Sequence, residues 1–254
     1  MKMINFIVNW IDNYCQNHNI STLIVGVSGG VDSAVTSTLC AKTHLKTIAI
    51  SLPIHQNKKE LDRAHQHQKW LLKNFKNIKC ENIDLSILFD SFKNSIPNKY
   101  HSNLSLANSR ARIRMTSLYQ IAGKENGIVV GTGNKIEDFG IGFFTKYGDG
   151  GVDISPIADL TKSEVINVAK QLEINNDIIS APPTDGLWED DRTDEDQIGV
   201  SYSELEWAMD FKGSIDSLSF QKKASLLKFK ELNNINQHKM KPVPICIIPD
   251  ELKN

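Results

Sequence analysis

Apolar residues recur at Ile4, Ile7, Val8, Ile11 and Tyr14, a spacing that predicts an amphipathic helix ending near Asn17. The pattern then shortens to an unbroken run, Leu23-Ile24-Val25, which reads as a buried strand. A polar, glycine-bearing loop comes next, and Val35, Leu39 and Ala41 mark the helix after it. Thr47–Leu52 predicts a second strand, Lys58–Asn74 a charged helix, Ile78–Leu85 a weaker strand and Leu104–Lys124 a long helix. Ile128–Gly131 predicts a further strand with glycine on both sides. Alternation of this kind implies an α/β fold: a doubly wound, mainly parallel sheet with ligands at the carboxyl ends of its strands. Gly26, Ser51–Pro53 and Gly131–Asn134 all fall at such ends.

Beyond Lys162 the character changes. Ser163–Leu172, Ser203–Phe211 and Ser219–Leu232 read as extra C-terminal helices. Between them Ser180–Asp196 is acidic and proline-bearing, around Pro182, Pro183 and Gly186, and its length predicts a mobile lid. The tail from about residue 236, with Pro242, Pro244 and Pro249, predicts extended chain. No internal repeat or separately folding unit is visible, so residues 1–254 are expected to form one domain.

The first loop carries the strongest chemistry. It reads Gly26-Val27-Ser28-Gly29-Gly30-Val31-Asp32-Ser33. Its glycines let backbone approach a ligand, and loop N–H groups at a helix start bind phosphate oxygens. Ser28 and Ser33 add hydroxyls, while the Asp32 carboxylate repels phosphate unless a cation lies between them. The combination predicts a magnesium–polyphosphate site, with Asp32 as a simple helix cap the plainer alternative. The loop has no Walker A lysine and is not a G-x-G-x-x-G fingerprint, which argues against γ-phosphoryl and hydride transfer.

Three more segments bear on the site. Gly131-Thr132-Gly133-Asn134-Lys135-Ile136-Glu137 repeats the strand-end logic, and Glu137 pairs with Asp32 as a magnesium ligand or is a solvated first-turn residue. Asn108–Met115 sets Arg110 and Arg114 on one helix face and Arg112 elsewhere; such a run is also compatible with a solvated face. Phe143-Phe144-Thr145-Lys146-Tyr147 runs into Gly148-Asp149-Gly150-Gly151-Val152-Asp153 and predicts either a pocket for a flat ring or a packed corner. His65 and His67 are two apart on a helix, cannot share one metal, and read as solvated.

Lys+Arg number 29 against 30 Asp+Glu, a net charge of −1, so no global field favours nucleic acid. Cys15, Cys40, Cys80 and Cys246 form no C-x-x-C pair, which suits a reducing cytoplasm. No apolar run has the length to span a membrane.

Taken together the segments resemble the ammonia-dependent NAD+ synthetases, within the N-type ATP pyrophosphatase (PP-loop) group. The resemblance rests on S-G-G-x-D-S at Ser28–Ser33, N-x-x-A-R-x-R-M at Asn108–Met115, Gly131-Thr132 with Glu137, and Gly142–Asp153. Leu160–Lys162, Pro183-Thr184 and His238-Lys239 continue it, so the matches span about Gly26 to Lys239. The block Gly142–Asp153 is the most specific. The resemblance implies an adenine nucleotide alpha hydrolase-like sheet. It also implies amidation of deamido-NAD+ by ammonia and ATP through an adenylate, giving NAD+, AMP and pyrophosphate. Position by position, it makes Gly26 through Ser33, Thr132, Lys162 and Thr184 ATP contacts, with Asp32 and Lys162 catalytic. Asp32 and Glu137 become Mg2+ ligands, and Arg112, Lys146, Asp153, His238 and Lys239 contacts to deamido-NAD+. It further implies a homodimer in which the His238-Lys239 pair serves the neighbouring subunit. Two features depart from the family pattern: Asp185-Gly186 after Thr184, and the acidic run Trp188–Asp196.

Two rival readings remain: a tRNA-modifying enzyme of the same group, and a non-catalytic nucleotide sensor. Neutral charge and scattered cysteines weigh against the first, and retention of both acids against the second. The chain length leaves no room for a glutaminase domain, which predicts free ammonia as the nitrogen donor.

Overall fold

The computed structural model describes residues 1–184 and 193–253. Helix α1 spans Lys2–Asn17, and after it come β1 (Thr22–Gly26), α2 (Val31–Ala41), β2 (Lys46–Ser51), α3 (Lys58–Asn74) and β3 (Ile78–Asn82). Then come α4 (Ser86–Ser95), α5 (Asn103–Lys124), β4 (Gly127–Val130), a π-helical segment at Lys135–Ile141, α6 (Lys162–Gln171) and α7 (Asn176–Ile179). Helices α8 (Asp194–Ile198), α9 (Tyr202–Asp210) and α10 (Phe220–Met240) complete the order.

The four strands lie in the order β3-β2-β1-β4, all parallel, with Thr22 opposite both Lys46 and Gly127. The chain winds outward from β1 through β2 to β3, then crosses over to place β4 on the other side of β1. The reversal puts a switch point between the ends of β1 and β4, where open α/β sheets bind ligands.

Both sheet faces are covered, which explains why β1 is apolar at every central position rather than at alternate ones. Leu23 and Val25 pack with Ile11, Val35, Leu39, Leu71 and Val165 from α1, α2, α3 and α6. Ile24 faces the opposite way, into Ile50, Phe89, Ala122 and Val129 below α4 and α5. A third cluster joins Ile136 and Ile141 of the π segment to Ile198, Tyr202 and Leu205 of α8 and α9. Helix starts obey local capping chemistry: Ser102–Ser105, Thr161–Glu164, Thr193–Asp196 and Ser201–Glu204 form reciprocal capping boxes.

Several expectations need correction. α10 does not stop near Leu232 but runs to Met240, so His238 and Lys239 are helical. Asn233 and Asn236 are poor helix formers in isolation, yet their side-chain amides donate to the Gly140 and Ile141 carbonyls at 2.7 and 2.8 Å. These tertiary bonds override the local preference. The weak strand ends at Asn82 and α4 comes after it, an element the periodicity does not announce. His67 is not solvated: it is buried, 2.9 Å from Ser37 Oγ and stacked on Trp70, and burial lowers its pKa to about 4. Most of the predicted lid, residues 185–192, lies outside the described residues, while its end, from Asp194, begins α8.

Candidate functional site

The first loop leaves β1 and turns into α2. Val27 N–H still donates to the Ile50 carbonyl at 2.8 Å, so the loop begins in line with the sheet. Gly29 stands two residues on with φ +91°, and a Cβ there would lie 2.4 Å from the Glu60 carbonyl oxygen of α3. Only glycine fits both the angle and the contact. Ser33 Oγ accepts from Ser28 N–H at 3.2 Å and donates to the Gly30 carbonyl at 3.0 Å, and Ser28 Oγ accepts from Gly30 N–H at 3.3 Å. The two hydroxyls thus brace the loop from within. Gly30 is the cap residue, and Asp32 stands inside α2, as its second residue, rather than capping it.

The second loop leaves β4, where Gly131 N–H donates to the Ile154 carbonyl at 2.8 Å. Buried Asn134 organises the turn into the π segment. Its Oδ1 accepts from the Ile136 and Glu137 N–H groups, both at 3.1 Å, and its Nδ2 donates to Asp32 Oδ1 at 3.1 Å. One amide therefore caps the π segment carrying Glu137 and ties it to the helix carrying Asp32. π-helical turns are rare and occur often at functional sites. Gly142, at φ +63°, ends the segment.

Lys162, the first residue of α6, reaches between these loops. Its Nζ lies 2.6 Å from Asp32 Oδ2 and 2.9 Å from Glu137 Oε1, with only 5 % of the residue exposed. The Tyr202 hydroxyl donates to Glu137 Oε1, and the Tyr202 ring lies 4.9 Å from the ammonium. Burial opposes charge on Lys162, but Asp32 and Glu137 more than offset it and raise its pKa, so the ammonium is retained. Burial, reinforced by Glu137, pushes Asp32 up against the opposing pull of Lys162 and Asn134. Burial also acts on Glu137, yet Lys162 and Tyr202 hold it below the ordinary carboxylate range. Neighbouring Asp138 is driven well above that range by burial and by the carboxylates of Glu137, Asp149 and Asp32.

Two carboxylates converging on one cation form a hard oxygen donor set. Among the described residues no group of three or more metal-binding side chains exists. The pair could hold a divalent cation whose remaining positions are filled by substrate phosphates and water. Asp32 and Glu137 are the residues that would hold it.

Around this centre a crevice of about 290 Å³ opens at the switch point. The expected nucleotide residues Gly26, Val27, Ser28, Gly30, Val31, Asp32, Ser33, Thr132, Lys162 and Thr184 line it, and Gly29 lies behind them against α3. Thr184 Oγ1 donates to Glu60 Oε1 at 2.6 Å. The second expected set is gathered elsewhere. Arg112 Nε and Nη2 donate to the Lys146 carbonyl at 3.3 and 3.2 Å, Lys146 Nζ to the His238 carbonyl at 2.8 Å, and Lys239 Nζ to the Phe144 carbonyl at 2.9 Å. Within one chain Lys146, His238 and Lys239 clamp the aromatic segment to α10, and Arg112 ties it to α5. Asp153 belongs to neither group: its carboxylate accepts from Val129 N–H at 2.7 Å.

Sequence reading missed Asn134 as a tie, Tyr202 as a partner of Glu137, and Arg63 and Glu60 as crevice residues. A glycine loop packed on α3 was the only available hint for Arg63 and Glu60. Nothing local announced Tyr202.

Comparison with known proteins yields consistent likenesses. The NAD synthase family model matches residues 3–243. An NH(3)-dependent NAD(+) synthetase of Carboxydothermus hydrogenoformans is 39 % identical over 85 % of this chain and 88 % of its own length. One from Methanosarcina acetivorans is 34 % identical over 96 % and 97 %. Among solved structures, an NMN synthetase from Francisella tularensis is similar with TM-score 0.86 and 32 % identity, covering 98 % of each chain. An NH3-dependent NAD synthetase from Campylobacter jejuni, in complex with nitrate, gives 0.78 and 26 % over 97 % and 98 %.

Proposed function

This chain belongs to the NAD synthase family, and from that premise we propose how its crevice performs the family reaction. The enzyme is a ligase that amidates deamido-NAD+ at the expense of ATP. In our reading the nicotinate carboxylate attacks the α-phosphorus, pyrophosphate departs, and ammonia then displaces AMP from the activated acyl carbon. No protein nucleophile is needed, because the substrate carboxylate serves.

The observation that carries this reading is the Asp32–Lys162–Glu137 cluster beside the glycine loop. Negative charge builds on the departing pyrophosphate as the P–O bond breaks, and preorganised donors there accelerate departure; each is worth roughly 3 kcal/mol. The loop backbone supplies N–H groups and Lys162 a buried ammonium. A bound Mg2+ would add charge neutralisation at the phosphate oxygens. Arg112, Lys146, His238 and Lys239 would receive the dinucleotide at the clamp beyond the crevice, and Asp153 would act there through the strand it braces.

The same reading takes ammonia as nitrogen donor, since the relatives are named for it. It places the enzyme in the cytoplasm, in keeping with four free cysteines; among the described residues no helix is long and apolar enough to cross a membrane. It also makes the enzyme a homodimer, in keeping with Ile87, Leu88, Phe92 and Leu104 exposed along α4 and α5.

A second reading keeps the chemistry and changes the acceptor to a nicotinate mononucleotide. It is favoured by likeness to the Francisella structure, which bears the name NMN synthetase. Pure protein is incubated with Mg-ATP, ammonium and either acceptor, and NAD+, NMN, AMP and pyrophosphate are measured. A higher kcat/KM for deamido-NAD+ supports the first reading and the reverse ratio the second. Formation of ADP instead of AMP overturns both.

A further inference from the structure

We infer that Arg63 is a phosphate-binding residue for the two terminal phosphates of the nucleotide and for the pyrophosphate they become. The inference rests on the reading of the first loop as a nucleotide cradle.

Among the described residues three cations line the crevice, and two are committed. Lys162 is held by Asp32 and Glu137. Arg114 donates from Nε to the Leu52 carbonyl at 2.9 Å and from Nη2 to Gln56 Oε1 at 2.8 Å, bracing the end of β2. Arg63, from α3, donates only Nε, to the Gly29 carbonyl at 3.2 Å. Among the described residues neither Nη group has a hydrogen bond or ion pair.

The anchor places this guanidinium at the cradle. Gly29 is where α3 packs against the loop: a Cβ there would lie 3.3 Å from Arg63 Cβ. One Arg63 nitrogen fixes the side chain on the loop backbone, leaving the paired Nη donors of a planar fork in the wall of the crevice. Such a fork matches two oxygens of a phosphate, with bonds about twice as strong as neutral ones. The local charge balance calls for it. Asp32, Glu60 and Glu137 all line the same crevice, so a polyphosphate there needs cations beyond the one Lys162 supplies.

The test is calorimetric titration of wild type, Arg63→Gln and Arg63→Lys with Mg-ATP, magnesium pyrophosphate and AMP. Arg63→Gln is expected to weaken ATP and pyrophosphate by about 10- to 100-fold while AMP changes less than about twofold. Arg63→Lys, which keeps charge but loses the fork, is expected to fall between them at an unchanged unfolding midpoint. It carries the test if Arg63→Gln does not fold. Equal weakening of AMP would mean that Arg63 only props the loop; that result, or undiminished pyrophosphate affinity, overturns the inference alone. Wild-type protein that binds neither ATP nor pyrophosphate overturns the cradle reading with it.

Discussion

Lys162 Nζ lies 2.6 Å from Asp32 Oδ2, joining the first residue of α6 to the second residue of α2 across 130 positions of sequence. The ammonium sits where a divalent ion bound by Asp32 and Glu137 would draw its charge contacts. In the proposed reading a divalent ion held by Asp32 and Glu137 would compete with this ammonium for the same two carboxylates. Lys162→Met keeps the bulk and removes the charge. Leaving a buried carboxylate pair uncompensated should cost about 3–5 kcal/mol in denaturant unfolding. Mn2+ affinity of nucleotide-free protein, read by electron paramagnetic resonance, should rise about tenfold, since one unit of charge competition is worth that order. Turnover should fall about 10²- to 10³-fold. Unchanged Mn2+ affinity would exclude the competition.

The Tyr202 hydroxyl donates to Glu137, and its ring faces the Lys162 ammonium. Tyr202→Phe keeps the ring and removes the donor. A hydrogen bond to a charged group contributes about 1.5–3 kcal/mol, and a loss of that size is expected in urea unfolding. A wild-type unfolding curve from the variant would show that Tyr202 does not support Glu137.

Gly29→Ala tests the loop itself. The added methyl meets the Glu60 carbonyl oxygen at 2.4 Å in a left-handed backbone, so the loop must shift off α3. Strained backbone of this sort costs about 1–3 kcal/mol. ATP affinity should drop at least about tenfold, as roughly 1.4 kcal/mol corresponds to a factor of 10. Calorimetry showing wild-type ATP binding would separate the cradle from nucleotide recognition.

His67 predicts a pH dependence outside the site. Burial lowers its pKa to about 4, whereas the unfolded chain titrates near 6.5. Between these values the unfolded state binds the extra proton, so stability is full above pH 6.5 and falls as pH drops toward 4. At pH 5 the loss is about 2 kcal/mol, at roughly 1.36 kcal/mol per pH unit. His67→Gln cannot take up that proton. Urea unfolding at about pH 7 and about pH 5 should show the wild type losing about 2 kcal/mol more than the variant between the two conditions. Equal losses would exclude His67.

What lay in the sequence was local. The apolar run of β1, the glycines after it and the bounds of α3 come from periodicity, backbone freedom and capping, each set within a few residues. The two loops could be placed at strand ends because a parallel α/β chain puts every βα turn on one edge. Which side chains meet there was decided by tertiary packing alone. Lys162 reaches Glu137 because α6 packs on α2 and Lys135 N–H donates to the Leu160 carbonyl just before it. Tyr202 reaches it because α9 docks on the π segment, and Arg63 reaches the loop because Gly29 seats on α3. The same packing carried α10 past Leu232, turned Asp153 onto the Val129 N–H and buried His67. Each of these contacts spans at least 24 positions or overrides a weak local preference, so no short window of sequence holds the energy that selects it.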